Sequence, residues 1–118
     1  MATILVIDDD DALYAMVKDV LEQEGYQVRI VHTALAALRQ LDETPPDLIL
    51  CGYVLPHLNG LEVCATLRES PAYRTIPYIL MSTMPIQAPS GVSLPPVLRK
   101  PFNSDELLTI VASQLGQR

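Results

Sequence analysis

Asp8 and Asp9 close an apolar run near the start of the chain, Ser82 and Thr83 close a second, Lys100 follows a third, and Gly52 ends a fourth. Clustered carboxylates suit a hard cation such as Mg²⁺, which keeps several waters and is commonly held by one or two carboxylates together with phosphate oxygens. A lysine supplies a point charge for a phosphoryl group, and a serine or threonine hydroxyl can hydrogen-bond one of its oxygens. These residue types together describe a phosphate-handling site. An acyl-phosphate intermediate would need a carboxylate nucleophile, and glycine has no side chain to offer.

The elements that must position these residues are legible in the hydropathy pattern. Strand-length apolar runs recur at Thr3-Ile4-Leu5-Val6-Ile7, Val28-Arg29-Ile30-Val31, Leu48-Ile49-Leu50-Cys51, Tyr78-Ile79-Leu80-Met81 and Val97-Leu98. The first, third and fourth are near-continuous, as in strands buried on both faces of a parallel sheet. Between them, Leu13, Met16, Val17, Val20 and Leu21 repeat at helical spacing and stop at Gly25, with Asp10 or Asp11 as N-cap. A second helix is predicted from about Ala34 to Leu41, with Ala34, Ala37, Leu38 and Leu41 inward and Pro45-Pro46 beyond its end. A third follows Gly60 and turns Leu61, Cys64 and Leu67 inward. The last starts at Asn103, with Glu106 placed for a capping box and Leu108, Val111, Ala112 and Leu115 as its buried stripe.

Strands alternating with helices predict a doubly wound α/β domain, because right-handed crossovers must cover both faces of the sheet. In such a sheet ligands sit outside the carboxyl ends of the strands, where Asp8, Asp9, Gly52, Ser82, Thr83 and Lys100 all fall. One segment breaks the alternation. From Met84 to Pro96 the prolines at 85, 89, 95 and 96, with Ser90-Gly91 between them, leave no room for a normal helix, so a loop or a single turn is expected there.

Length and composition are consistent with this reading. The chain has 118 residues, 49% of them apolar and 19% charged, which fits a single domain over residues 1–118. Eight basic against fourteen acidic residues give a net charge of −6, which disfavours direct binding to nucleic acid because a phosphate backbone must be neutralised. No apolar run reaches the roughly 20 residues of a membrane span, and the N-terminus lacks a basic region before its hydrophobic stretch, so a cytoplasmic protein is expected. Cys51 and Cys64 form no CxxC pair and read as reduced core thiols. His32 and His57 have no ligand spacing and read as surface or loop residues.

Taken as a set, ILVIDDD, DLILCGYVLP followed by HLNG, PYILMS and LRKPF resemble the receiver domain of two-component response regulators, over essentially the whole chain from Ile4 to Leu115. The resemblance implies a flavodoxin-like five-stranded parallel sheet in the order 2-1-3-4-5. Asp8 and Asp9 then match the acidic pair that holds Mg²⁺, and Val54 falls where a main-chain carbonyl joins the metal. Ser82 matches the switch hydroxyl, Lys100 the family's lysine, and Lys100-Pro101 a bond often cis in the family. Gly52 falls on the phospho-accepting aspartate and Val97 on the switch aromatic. The fourth of the family's helices, between strands four and five, is the element the prolines leave reduced or absent.

These departures agree with one another, since a switch and a mobile helix are useful only if position 52 changes charge. The resemblance therefore implies a receiver without enzymatic activity that acts as a phosphorylation-independent interaction module, with a degenerate Mg²⁺ site and no other cofactor. Its partner would be a histidine kinase, a phosphotransfer domain or another regulator. Two alternatives remain: a relocated acceptor at Asp9 or Asp10, and a sensor that lodges an anion or small ligand in space vacated at position 52. Without a carboxylate there, Lys100 is expected to neutralise Asp9. Candidate partner surfaces are Tyr14 and Lys18 beside the stripe of the first helix, and Ile86 and Leu94 in the proline-rich segment, which otherwise reads as a plain shortened connection.

Overall fold

The computed structural model describes residues 2–116. Its strands are β1 Thr3–Ile7, β2 Gln27–Val31, β3 Leu48–Gly52, β4 Tyr78–Ser82 and β5 Val97–Arg99. They lie parallel in the order β2-β1-β3-β4-β5, the flavodoxin-like arrangement. All five residues of β3 and of β4 are buried, which is why those segments are continuously apolar. At the edge, β5 buries only Leu98, between exposed Val97 and Arg99.

Alternation along the strands divides the core into two layers. Leu5, Ile7, Ile49, Cys51 and Leu80 face α2 Ala34–Glu43 and α3 Gly60–Arg68. Ile4, Val6, Leu50, Ile79, Met81 and Leu98 face α1 Asp11–Gln23 and α4 Ser104–Leu115. Burying a Leu or Ile side chain contributes roughly 1.5–3 kcal/mol, so the two layers supply the main force holding the strand ends in place.

Local chemistry sets the helix ends. Asp10, rather than Asp11, caps α1, its side chain accepting from the N–H groups of Ala12 and Leu13. Asn59 with Glu62 and Asn103 with Glu106 form complete capping boxes. After α1, Gly25 at φ 90° lets its own N–H reach the Glu22 carbonyl and the Tyr26 N–H reach Leu21, the double bond of a Schellman ending. Two helices bury a somewhat different stripe from the expected one. α1 buries Tyr14, Val17 and Leu21, with Leu13, Met16 and Val20 at the rim, and α4 buries Leu107 and Val111 while Ala112 is exposed.

Residues 83–96 form no helix, as their prolines predict. Their one turn closes where the Val92 N–H meets the Pro89 carbonyl, with Gly91 at φ 82°. This strap is held by Arg68, whose Nη1 donates to the Ser93 carbonyl, by buried Pro95, and by Ile86, which packs against the α2/α3 layer.

Candidate functional site

Three of the polar positions share a face for a reason of strand geometry. Asp8, Gly52 and Lys100 each lie two residues beyond a side chain of the α1/α4 layer, namely Val6, Leu50 and Leu98. Continued alternation carries all three to the same side of the sheet, and Asp9 to the other. Asp8 is 1% exposed, and its Oδ2 accepts a hydrogen bond from Lys100 Nζ at 2.8 Å. Its Oδ1 accepts from the Asp10 N–H.

The missing side chain at position 52 makes this pairing possible. A Cβ built on Gly52 would lie 2.6 Å from Asp8 Oδ2 and 2.8 Å from its Cγ, so the Asp8 carboxylate occupies the space a side chain would enter. The expected partner of Lys100 was Asp9; the lysine takes Asp8 instead, and both Asp9 and Asp10 are exposed. The anticipated anion pocket over Gly52 is correspondingly filled by a carboxylate.

Tyr14 supports Asp8 from behind. It is buried, not a free partner surface as its sequence position suggested. Its hydroxyl donates to the Val31 carbonyl at 2.9 Å and accepts from the Asp8 N–H at 3.1 Å, and burial raises its pKa above the usual tyrosine value. The His32 ring meets Tyr14 edge-on at 5.0 Å, and its Nε2 lies 3.4 Å from Asp11 Oδ1. Lys18 is exposed on the same helix.

Ser82 is 4% exposed and turned toward its own chain: Oγ donates to the Met84 carbonyl at 2.7 Å and accepts from the Met84 N–H at 3.1 Å. Thr83 is exposed. The Lys100 N–H donates to the Ser82 carbonyl, and the Lys100-Pro101 bond is cis. Val54 is 60% exposed and bridges to Asn59, while Val97 is an exposed aliphatic residue on β5.

Gly60, where α3 starts, also bounds the site from below. A Cβ there would meet the Gly52 carbonyl oxygen at 2.3 Å, and the Tyr78 hydroxyl donates to the Gly60 carbonyl at 2.6 Å. The only signal for this was the glycine itself. Beside it, burial pushes the Cys51 thiol up to about 12, so it is not a reactive nucleophile near neutral pH.

Among the described residues no three His, Cys, Asp or Glu side chains converge to hold a metal ion. Asp8 and Asp9 remain as hard oxygen donors, but one is already neutralised by Lys100, so the donor set fits Mg²⁺ poorly. No described helix is long and apolar enough to cross a membrane.

A family model described as the response regulator receiver domain matches residues 4–112. The DNA-binding response regulator MtrA of Mycobacterium tuberculosis is 31% identical over 116 residues, which cover 95% of this chain and 50% of that protein. The chain spans about half the length of the curated relatives it matches. Among solved structures, the signal receiver domain of a signal transduction histidine kinase from Syntrophus aciditrophicus superposes with a TM-score of 0.87 at 28% identity, covering 99% of this chain and 92% of that one. The receiver domain of a sensor histidine kinase from Pseudomonas aeruginosa, with a magnesium ion coordinated in its active site cleft, gives 0.83 at 25% identity and covers 98% of both chains.

Proposed function

The chain belongs to the response regulator receiver domain family, and we propose that within it the protein is a receiver whose signal is not an acyl phosphate: a phosphorylation-independent module that presents a fixed surface to a signalling protein. The carrying observation is the Asp8–Lys100 pair seated over Gly52. At the position assigned to the acceptor there is no carboxylate, and the lysine that would meet a phosphoryl group is held by an internal acid.

Other features of the site support the same reading. The Ser82 hydroxyl is engaged with the Met84 backbone, Val97 has no ring to swing inward, and the segment between β4 and β5 has no helix to shift. A mobile switch needs two arrangements separated by a charge change; here the internal ion pair already supplies the neutralised arrangement. Mg²⁺ supplies charge neutralisation for phosphoryl transfer when bound, but Asp8 would have to exchange Lys100 for the ion, so affinity is low. The partner is a histidine kinase, a phosphotransfer domain or another regulator, and the net charge of −6 argues against direct contact with nucleic acid.

Incubation with Mg²⁺ and a small phosphodonor such as acetyl phosphate, followed by intact mass measurement, tests this. The expected result is no stable phosphate adduct. A stoichiometric adduct would overturn the reading, and its loss in Asp9→Asn or Asp10→Asn would show that the acceptor had moved.

A further inference from the structure

The amino ends of the strands, opposite the Asp8–Lys100 pair, carry a second polar recess. Tyr78 begins β4 and Pro96 precedes β5, whereas Ser82 and Lys100 lie at the other ends of the same strands. Beside the last turn of α3 a cleft of about 230 Å³ opens there, bounded by Arg68, by Arg74 and Thr75 of the connection from α3 to β4, and by Gln114 of α4. Among the described residues no Asp or Glu lines it, and neither Arg68 nor Arg74 forms an ion pair. In a chain of net charge −6, two guanidinium groups therefore share one recess without a neutralising acid.

Arg68 is held in place. Its Nη1 donates to the Ser93 carbonyl at 3.0 Å, which fixes the planar head and leaves the rest of its donor fork available. Its charge also reaches the floor of the cleft. Burial raises the pKa values of the Cys64 thiol and the Tyr78 hydroxyl, and Arg68 opposes that rise in both, so negative charge is favoured on this side of α3. The walls are apolar, formed by Leu67, Ile76 and Pro96. Tyr73 adds its ring, because its hydroxyl is engaged by the Asp42 carboxylate.

We propose that this cleft binds a small phosphate monoester, with its phosphate between Arg68 and Arg74, the Thr75 hydroxyl as a further donor, and its organic body against Leu67, Ile76 and Pro96. Such an ester concentrates about two negative charges and several acceptor oxygens on one group at neutral pH, which matches two guanidinium forks. The volume of about 230 Å³ lies below the roughly 300–1,000 Å³ of sites for drug-sized ligands, so the body is no larger than a single ring or short chain. A ligand site here goes beyond the interaction module proposed above and does not depend on it, since it uses none of the residues around Gly52.

The test is a titration of the ¹⁵N-labelled full chain with phenyl phosphate at constant ionic strength, followed by amide shifts. Saturable shifts are expected at Arg68, Arg74, Thr75, Ile76 and Gln114. Inorganic phosphate should bind more weakly because it leaves the apolar walls uncovered, and phenol should give no saturation. Arg74→Gln and Arg68→Gln should each lower affinity by about tenfold, the double variant should abolish binding, and Arg99→Gln, outside the cleft, should leave it unchanged. All three are exposed positions, and unchanged amide shifts elsewhere verify the fold. Absence of saturable shifts, an equal loss in Arg99→Gln, or shifts centred on Gly52 and Lys100 would overturn the proposal. Tighter binding of succinate than of phenyl phosphate would overturn it in favour of a dicarboxylate. Binding at the cleft leaves the intact mass unchanged, so the phosphodonor experiment is independent and either reading can fail alone.

Discussion

The Asp8 carboxylate stands over the α-carbon of Gly52, its Oδ2 2.6 Å from where a Cβ would be, and from that position it holds Lys100. Glycine at 52 and the buried ion pair are therefore one structural feature: any side chain at 52 must displace the acid. Asp8 can yield, because the nearest atoms belong to the end of a side chain and not to backbone.

Gly52→Asp should therefore fold with Asp8 displaced and two carboxylates crowded beside Lys100. In EDTA the variant is expected to lose about 1–3 kcal/mol of stability, and millimolar Mg²⁺ should restore most of it by neutralising the cluster. Urea unfolding with and without Mg²⁺ measures both effects. No metal response would mean that Asp8 stays with Lys100 and no site forms.

Lys100→Met strands a nearly inaccessible carboxylate. Breaking a buried pair by removing one partner costs about 3–5 kcal/mol; Lys100 retains some solvent contact, which places its expected cost at the lower end. Adding Asp8→Asn should recover a large part of the loss. A double-mutant cycle from urea midpoints gives the coupling directly, and additive effects would contradict the pairing.

Tyr14→Phe removes a hydroxyl that both donates and accepts among buried backbone groups. The expected loss is about 1–2 kcal/mol. Lys18→Ala, on the exposed face of the same helix, should stay within roughly 0.5 kcal/mol of the parent. Thermal or urea unfolding of the two variants separates a structural tyrosine from a solvent-facing partner residue.

Stability should fall in alkali. Burial raises the pKa values of the Cys64 thiol and of the Tyr14 and Tyr78 hydroxyls, and pushes Cys51 up to about 12. The unfolded chain releases these protons first, from the ordinary thiol value of 9.0 upward. Above that pH it binds fewer protons than the native state, and unfolding is favoured. Urea midpoints should decline between pH 9.0 and about 12, and native Cys51 should resist alkylation until the protein opens.

Fold and site were legible to different degrees. Continuous apolar β1, β3 and β4 announced a parallel sheet because burial on both faces requires it, and the prolines at 85, 89, 95 and 96 announced the missing helix because each denies the backbone a donor. Tyr14 was misplaced because a tyrosine is amphipathic: its ring fills a core while its hydroxyl seeks a polar partner, and periodicity cannot say which end decides. In α4, counting from Leu108 shifted the stripe, since Leu107 and Leu108 are both apolar and only packing against the sheet chose between them.

By itself the sequence determined what is local and chemical: the strand-length apolar runs, the capping box at Asn103, and the absence of a nucleophile at Gly52. Tertiary structure decided which acid meets Lys100. Asp8 and Asp9 are equivalent in type and adjacent in the chain, but alternation beyond β1, β3 and β5 brings Asp8, Gly52 and Lys100 onto one side of the sheet and directs Asp9 away. That choice depends on the relative placement of three strands far apart in sequence, and it exists only once their shared apolar layer has closed.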